Sequence, residues 1–571
     1  FIVEVVCRDR SYKMRDKILV ILCILLILWF TIQPVELNWT ETDLSLTVVV
    51  CGITVVAVIL LFLCKQQMAL SVIDTVVFLW LFYVMLRAYV TPVYPCANFC
   101  IRAIQMVSLY IAARLLFSSV TITEHVLVVG ILICAGYELL LGAFQLWNGN
   151  SRHYLYALSG TFMNPGPYSV FIAIGLVMSC KLRKGYWLPA IFAMLLPATW
   201  SRAAMVSAAI CIGIIYWEKW KRWKWQVAFF ISVIIIGLYF VKKGSADGRS
   251  IIYMISLVTI LHRPLFGYGI GSFCHQYAES MSTFSLQHPT FDFHSAGVTS
   301  NAYNILLQIG VEQGSFGLSL AIVLVALIFV KLQKQGHILS VGLLCLLIFS
   351  MFSYPFEQLP YQIIFVLIAA YSATDKEKCD ISTDRYKFYP CFKPLLFLVV
   401  VSLFSIFTYN QIEKRLQAES DYQLMAGITH SAFIDDYYEL FPLMNSNEHF
   451  LFDFAKILAK DGRLNDSNAM LRLGTLVSID PMFYVIQGNN YRDMGLYQEA
   501  ENAYKKSFRI MPNRLYPLYQ LMLLYEQSGQ EELMVQTAHR IAHFAEKVTS
   551  SATEDMKKKA IEIISNNSKS R

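Results

Sequence analysis

The sequence is poor in charge and lacks paired-cysteine motifs. Charged residues make up 15% of its 571 positions, whereas soluble globular chains contain about 25%. Together with a hydrophobic fraction of 56%, this excludes a typical water-soluble enzyme and a disordered protein. The thirteen cysteines form no CxxC pair, so we expect no structural zinc. No stripe of Lys and Arg marks a nucleic-acid surface.

The charges that are present divide the chain into two parts. Residues 413–571 hold 18 Lys and Arg and 21 Asp and Glu, whereas residues 1–412 hold only 29 and 19. We therefore predict an all-α protein with two domains, a polytopic membrane domain over 1–412 and a soluble domain over 413–571.

Thirteen apolar runs approach the length needed to cross a hydrocarbon core of about 30 Å. They are 17–34, 44–64, 72–90, 98–118, 125–147, 166–181, 186–200, 203–218, 224–241, 302–330, 337–354, 359–373 and 394–412. This predicts about 12–13 transmembrane helices. The first run lacks a small-residue cleavage site and other runs follow it, so we expect a retained helix and no signal peptide.

The loops between these runs predict the orientation. Twenty Lys and Arg lie in the short loops of one side, against Arg152 and Arg202 on the other. Because cytoplasmic loops carry the excess of positive charge, we expect a cytoplasmic N-terminus. The odd number of helices then places the long loop 242–301 and the C-terminal domain on the outer side.

The C-terminal part contains a degenerate repeat. The residues that match the tetratricopeptide pattern are Tyr491, Gly495, Tyr497, Ala500, Ala503, Tyr504 and Pro512. Tyr491 and Gly495 recur 34 residues later as Tyr525 and Gly529. We predict about three repeats over 445–548, forming an α-solenoid. Such a solenoid binds a protein partner or serves as a packing cap for the membrane domain, and the sequence leaves both open.

Polar residues mark four segments beside the apolar runs. They are Asn164 within 160–171, Arg202 within 199–210, Arg249 within 248–273, and the stripe Asn304, Gln308 and Glu312 within 300–324. A charge at the membrane indicates function, although an interfacial Arg can also snorkel. The stripe shares one helix face, which favours a cavity over lipid.

In this order, the segments resemble the O-antigen ligase superfamily, which includes O-antigen ligases, O-antigen polymerases and protein O-oligosaccharyltransferases. The matching residues are Gly160-Thr161-Phe162, Asn164-Pro165, Ser201-Arg202, Gly248-Arg249, Pro264-Leu265, Gly267-Tyr268-Gly269, and Asn304 with Glu312 and Gly314. The resemblance implies an enzyme of the bacterial inner membrane. It would move a glycan from a polyprenyl-diphosphate carrier to an acceptor hydroxyl at the periplasmic face, without a metal or other cofactor.

The resemblance also implies roles for individual residues. Arg202 and Arg249 would hold the diphosphate, since the planar guanidinium matches phosphate oxygens. From their predicted positions at the outer ends of the third and fourth runs, Arg87 and Arg102 would add to this cationic site. Asn164 and Asn304 would contact substrate.

The general base is open at this stage. Many relatives carry a His-Asn pair where this chain has Tyr303 and Asn304. Tyrosine has a pKa near 10 and is a poor base, so His294 in the same loop is the alternative. Glu312 is expected to orient the acceptor.

Several functions fit these observations. Transfer to lipid A–core is favoured, followed by transfer to a protein Ser or Thr and by polymerisation onto a second carrier-linked glycan. A transporter would need charged pairs near the midplane and an internal repeat. A non-catalytic scaffold that gathers partners through its repeats is the other class. The presence of both Arg202 and Arg249 favours the enzyme.

Overall fold

The protein is helical throughout the part of the chain that the computed structural model describes. The described residues are 14–33, 39–64, 69–91, 97–120, 122–151, 153–182, 187–223, 243–334, 337–374, 392–428, 430–547 and 549–570, with isolated positions between 183 and 242. No β-strand occurs within these ranges. The prediction of an all-α chain is confirmed for them.

The first fifteen helices of the described residues lie in the apolar part of the chain, where the sequence predicts the membrane domain, and in its long loop. They are α1 (Met14–Trp29), α2 (Trp39–Leu63), α3 (Val72–Val90), α4 (Ala97–Ser119), α5 (Glu124–Asn148), α6 (Pro165–Cys180), α7 (Trp187–Leu195), α8 (Arg202–Ile215), α9 (Trp217–Trp220), α10 (Lys243–His262), α11 (Phe273–Gln287), α12 (Ile305–Lys334), α13 (Leu339–Ser350), α14 (Leu359–Ala373) and α15 (Phe392–Met425).

Eight helices follow in the C-terminal part. They are α16 (Ile434–Met444), α17 (Glu448–Lys460), α18 (Leu464–Val477), α19 (Met482–Asp493), α20 (Tyr497–Ile510), α21 (Tyr516–Gln527), α22 (Glu531–Ala542) and α23 (Ser551–Ser570). Helix α15 runs without interruption past position 412, where the sequence predicts the domain boundary.

Within the described residues, six helices are long and apolar enough to cross a membrane. These spans are Thr42–Leu63, Val72–Val90, Ala97–Ser119, Glu124–Asn148, Ile305–Lys334 and Pro394–Met425. Twelve of the thirteen predicted runs coincide with helices, but six of these helices are shorter than the six spans: α1, α6, α7, α8, α13 and α14. The run 224–241 lies almost entirely outside the described residues.

Charged side chains inside the membrane domain hold its elements together. Arg114 on α4 lies 3.3 Å from Asp74 on α3, and it donates a hydrogen bond of 2.7 Å to the Ala69 carbonyl. Glu138 on α5 accepts a hydrogen bond from the Thr161 amide at 3.1 Å. A buried charge is tolerated only when it is paired or hydrogen-bonded. These contacts give the three charges structural roles and do not require a transport pathway.

Helix α12 is broken at Gly314, and the outer loop pairs with the break. Gly314 has φ 67° and ψ −168°, a conformation that is essentially restricted to glycine. The amides of Ser315 and Phe316 donate to the carbonyls of Pro264 and Leu265 at 2.7 and 3.1 Å. Amides released by the break are thus satisfied by the loop, as buried backbone groups require.

The same loop segment continues the pairing through its glycines. The amides of Tyr268 and Gly269 donate to the carbonyls of Val311 and Glu312 at 3.0 and 2.9 Å. A Cβ atom on Gly267 would lie 2.6 Å from the Val311 carbonyl oxygen, so a side chain is excluded there. We call this paired region, residues 264–269 and 311–316, the Gly314 junction.

The long outer loop and the C-terminal part share one hydrophobic core. Ile252 and Ile255 of α10 and Phe273 of α11 pack in a cluster that also contains Tyr484 and Ile510. Lys506 on α20 pairs with Glu279 on α11 at 2.6 Å. Loop 242–301 and the C-terminal part therefore lie on the same side of the membrane domain.

The C-terminal part contains three helical hairpins in sequence, α17–α18, α19–α20 and α21–α22. Their turns contain Gly462, Gly495 and Gly529, with φ of 79°, 77° and 69°. The recurrence of glycine in the sequence thus marks the left-handed residue that ends the first helix of each hairpin. The assignment of these hairpins to a tetratricopeptide solenoid stays a prediction.

We expect replacement of Gly314 by alanine to destabilise the fold. An alanine there would adopt a disfavoured conformation, at a cost of roughly 1–3 kcal/mol, and its Cβ would lie 2.5 Å from the Gly267 amide nitrogen. Thermal unfolding of the detergent-purified protein measures the effect as a lowered Tm. Gly52→Ala is the control, because nothing lies within 4 Å of a Cβ on this helical glycine. Equal Tm values for both variants would contradict the role of the Gly314 junction.

Candidate functional site

Arg249 joins three segments of the chain at the face of the membrane domain that carries the long loop. From α10, its Nη1 donates a hydrogen bond of 2.6 Å to the Phe352 carbonyl between α13 and α14. Its guanidinium carbon lies 4.9 Å from the centre of the Tyr303 ring, just before α12. A cation over an aromatic face is attracted by the ring electrons. Since a guanidinium has five N–H donors, this position leaves capacity for an anionic ligand.

Arg202 lies within electrostatic reach of Arg249. It is the first residue of α8, and the preceding Ser201 caps this helix by accepting a hydrogen bond from the Ala204 amide at 3.4 Å. Burial lowers the pKa of Arg202, and the charge of Arg249 lowers it further, so the two cations repel each other. An anion placed between them removes this repulsion. The fold therefore brings together the two arginines that the resemblance selects for the diphosphate.

The backbone is strained on both sides of this arginine pair. Among the described residues, two non-glycine residues have positive φ, Trp200 at 51° and Tyr303 at 50°. Trp200 precedes Arg202 by two positions, and the Tyr303 ring lies under Arg249. Such conformations cost about 1–3 kcal/mol each and cluster at functional sites. The observed outliers support the assignment of function to this region.

Three tyrosines surround Arg249, and we call Arg249, Tyr253, Tyr303 and Tyr354 the arginine–tyrosine cluster. The Tyr253 hydroxyl donates to the carbonyls of Tyr303 at 3.2 Å and Met351 at 3.1 Å. The rings of Tyr303 and Tyr354 meet edge to face, with 5.4 Å between their centres. Burial raises the pKa of Tyr303 above its usual value, although the Arg249 charge opposes this effect. Tyr303 is therefore neutral near pH 7 and suited to donating a hydrogen bond.

Glu357 is a carboxylate beside this cluster that the sequence analysis did not select. The Asn301 amide donates to its Oε2 at 3.3 Å, and Asn301 in turn accepts a hydrogen bond from the Tyr303 amide at 3.1 Å. The side chain is exposed to solvent, but dense protein around it removes part of the hydration of its carboxylate. This partial loss of hydration raises the pKa of Glu357 to about 8, the Glu312 charge adds to the increase, and the Asn301 hydrogen bond opposes it. A carboxylate that titrates near neutral pH is suited to proton transfer.

Glu312 supports the site from the Gly314 junction. Its side chain is buried, accepts a hydrogen bond from Gln308 at 2.9 Å, and is also hydrogen-bonded by the amides of Gly271 and Phe273. The polar stripe of α12 thus holds the glycine turn against the helix. Its charge also contributes to the raised pKa of Glu357.

The four residues predicted to bind substrate form hydrogen bonds with other parts of the protein. Arg87 donates to the Gly267 carbonyl at 3.1 Å and so touches the Gly314 junction. Arg102 forms two hydrogen bonds, of 2.6 and 2.7 Å, to Asp43 on α2. Asn164 caps α6 by accepting from the Gly166 amide at 2.8 Å, and Asn304 caps α12 by accepting from the Leu306 amide at 2.9 Å. Of these four residues, Asn304 is the one that lies beside the arginine–tyrosine cluster, because it directly follows Tyr303.

His294 faces the C-terminal part. Its side chain is exposed and lines a cleft between the outer loop and helix α20. Its backbone carbonyl accepts a hydrogen bond from Asn513 at 3.0 Å. Ser295, the next residue, packs against Gly248, since a Cβ on Gly248 would lie 2.8 Å from the Ser295 carbonyl oxygen. His294 as the general base stays a prediction.

Residues 188–322 match the family model of the O-antigen ligases. The matched range contains all five residues predicted to be catalytic, while Glu357 and the C-terminal part lie beyond it. The match covers about a quarter of the chain and supports the resemblance to the O-antigen ligase superfamily. With the membrane-length helices, it supports an enzyme of the polysaccharide ligase or polymerase type in a multi-pass membrane protein. A search of curated proteins finds no match.

The contacts of Glu357 predict opposite effects of two substitutions on its pKa. Glu312→Gln removes a negative charge and is expected to lower the pKa of Glu357. Asn301→Ala removes the hydrogen bond that stabilises the carboxylate and is expected to raise this pKa. The reaction of the protonated carboxyl with a water-soluble carbodiimide, mapped by peptide mass spectrometry at several pH values, measures both shifts. Shifts in the same direction would contradict the arrangement.

Proposed function

We propose that the protein transfers a glycan from a polyprenyl-diphosphate carrier to an acceptor hydroxyl at the outer face of the bacterial inner membrane. The observation that carries this proposal is the placement of Arg202 and Arg249 within electrostatic reach of each other, beside Tyr303 and Glu357. The match to the O-antigen ligases covers both arginines.

The charge that develops on the departing diphosphate determines which groups the site needs. The acceptor oxygen bonds to the anomeric carbon of the glycan, and the bond from this carbon to the diphosphate oxygen breaks. Negative charge develops on the diphosphate, where the guanidinium groups of Arg202 and Arg249 stabilise it. Because both arginines are held by the protein before substrate arrives, little reorganisation is needed during the reaction.

The proton of the acceptor hydroxyl needs a base on the same side. Glu357 fills this role in our proposal, since it lies next to the arginine–tyrosine cluster and has a pKa raised to about 8. The Tyr303 hydroxyl donates a hydrogen bond that orients the acceptor or the carrier. His294 is the competing base, and variants of each distinguish the two.

Lipid A–core is the acceptor that we favour, which makes the protein an O-antigen ligase. A protein Ser or Thr is the second candidate and a carrier-linked glycan the third. The C-terminal part contributes to the core of the outer loop through Ile479, Tyr484, Ile510 and Met511. Deleting it would therefore damage the site itself. Purified wild-type protein offered each acceptor separately is the sharper test of acceptor choice.

The transferase proposal predicts the behaviour of Arg249 variants. In cells that lack the protein, Arg249→Ala is expected to reduce glycan transfer by at least tenfold and to accumulate carrier-linked glycan, because one diphosphate contact is lost. Gel analysis and mass spectrometry of carrier and acceptor measure both products. Arg472→Gln, an exposed arginine on α18, is the matched control. If Arg249→Ala inserts normally and transfers like wild type, a non-catalytic membrane scaffold takes the place of the enzyme.

The identity of the base predicts a pH dependence. With Glu357 as base, transfer is expected to rise as the pH increases from 6 to 9 with an apparent pKa near 8, because only the carboxylate accepts a proton. Glu357→Gln should abolish this rise and most of the activity, whereas His294→Ala should keep both. Loss of activity in His294→Ala with a normal profile in Glu357→Gln would assign the base to His294.

A further inference from the structure

A cleft of about 620 Å³ lies between the outer loop and the C-terminal part, away from Arg202 and Tyr303. This volume falls within the roughly 300–1,000 Å³ that is usual for ligand pockets. Its walls come from residues 285–294 of the loop and from residues 505–545 of the C-terminal part. The cleft therefore exists only when these two parts are docked together.

Aromatic rings form both walls of the cleft. Phe291 and Phe293 of the loop lie with 4.9 Å between their ring centres, and Phe508 and Phe544 of the C-terminal part with 6.2 Å. Flat rings of this kind match the apolar C–H faces of a sugar ring. The docking of the two walls is fixed by Asn513, which donates hydrogen bonds to the carbonyls of Phe293, His294 and Ala296 at 3.3, 3.0 and 2.8 Å.

The charged groups that line the cleft are mainly basic. Lys505, Arg509 and Arg540 face Asp292 and His294. Lys505 is paired with Glu501, and the Asp292 carboxylate accepts a hydrogen bond from the His294 amide at 2.8 Å. Two arginines therefore carry most of the positive charge available to a ligand.

Arg509 and Arg540 place two guanidinium groups at the wall of the cleft that the C-terminal part forms. Arg540 stacks over the Phe508 ring at 5.5 Å, which holds its guanidinium at this wall. The Nε atom of Arg509 is buried without a hydrogen-bond partner among the described residues, so the side chain is anchored in the protein and only its terminal nitrogens are offered to the cleft. An anion in the cleft would pair with the charges of both guanidinium groups.

We infer that this cleft binds an anionic saccharide, a short run of sugars bearing carboxylate or phosphate groups. The inference rests on the proposed function, because Ser295, which directly follows the lining residue His294, packs against Gly248, the residue before Arg249. A glycan held in the cleft therefore extends along the loop toward the arginine–tyrosine cluster. The saccharide belongs to the carrier-linked glycan or to the acceptor. An acidic peptide matches the arginines but not the paired aromatic walls.

Binding to the full-length protein in nanodiscs tests this inference. The probes are tri-galacturonate, phosphorylated maltotriose, neutral maltotriose and hexaglutamate, measured by isothermal titration calorimetry at 0.05 and 0.3 M NaCl. We expect the anionic trisaccharides to bind at least tenfold more tightly than maltotriose. Arg509→Gln and Arg540→Gln should each weaken their binding about tenfold, as the loss of a charge-assisted hydrogen bond implies. Arg472→Gln on the same domain should leave binding unchanged.

The outcomes separate the possible ligands. Preference for tri-galacturonate points to carboxylated sugars, and preference for phosphorylated maltotriose to a phosphorylated glycan. Equal binding of neutral maltotriose, or unchanged binding in both arginine variants, overturns the inference. Tighter binding of hexaglutamate replaces it with an acidic peptide site. Arg540 is exposed, so its variant stays informative if Arg509→Gln fails to fold.

The calorimetric measurement of saccharide binding does not depend on glycan transfer. Arg249→Ala should bind tri-galacturonate like wild type, because Arg249 does not line the cleft. A protein that binds the trisaccharide but transfers no glycan would overturn the proposed function alone. A protein that transfers glycan but binds no anionic saccharide would overturn the cleft inference alone.

Discussion

The backbone pairing at the Gly314 junction positions everything else in the candidate site. The break in α12 exposes amides that the segment 264–269 satisfies, and this holds the turn between α10 and α11 against the membrane domain. Glu312 and Arg87 both bind the same glycine turn. With this turn fixed, α10 carries Arg249 onto Tyr303 and Phe352. A continuous α12 would keep its hydrogen bonds internal and would leave the loop without a defined position.

The candidate site brings together groups whose arrangement is energetically unfavourable without a bound ligand. Two arginines repel each other, two residues adopt strained backbone conformations, and a carboxylate is held partly out of water. Each feature is unfavourable by itself, and under the proposed function a diphosphate bound between the arginines would offset their repulsion. The folding energy of the surrounding helices maintains this arrangement.

The sequence predicted some parts of this structure well because their signals are local. Arg202 and Arg249 stand out as charges beside apolar runs, and Gly462, Gly495 and Gly529 repeat at turn positions. Glu357 gave no such signal, since it is one acidic residue in a short loop and becomes notable only when Asn301 and Glu312 come near it. The predicted run 203–218 extends three residues too far, because hydropathy does not reveal that α8 ends at Ile215. The aromatic cleft was missed because its walls are more than two hundred residues apart.

The shared core of the outer loop and the C-terminal part has a consequence for motion. An isolated surface loop moves within nanoseconds to microseconds, whereas collective domain motions take microseconds to milliseconds. Here the loop cannot open without carrying eight further helices, because Ile510, Asn513 and Lys506 tie it to them. Any opening of the loop is therefore expected on the slower timescale of collective domain motion. The helices attached to the loop thus limit how fast the arginines can become accessible.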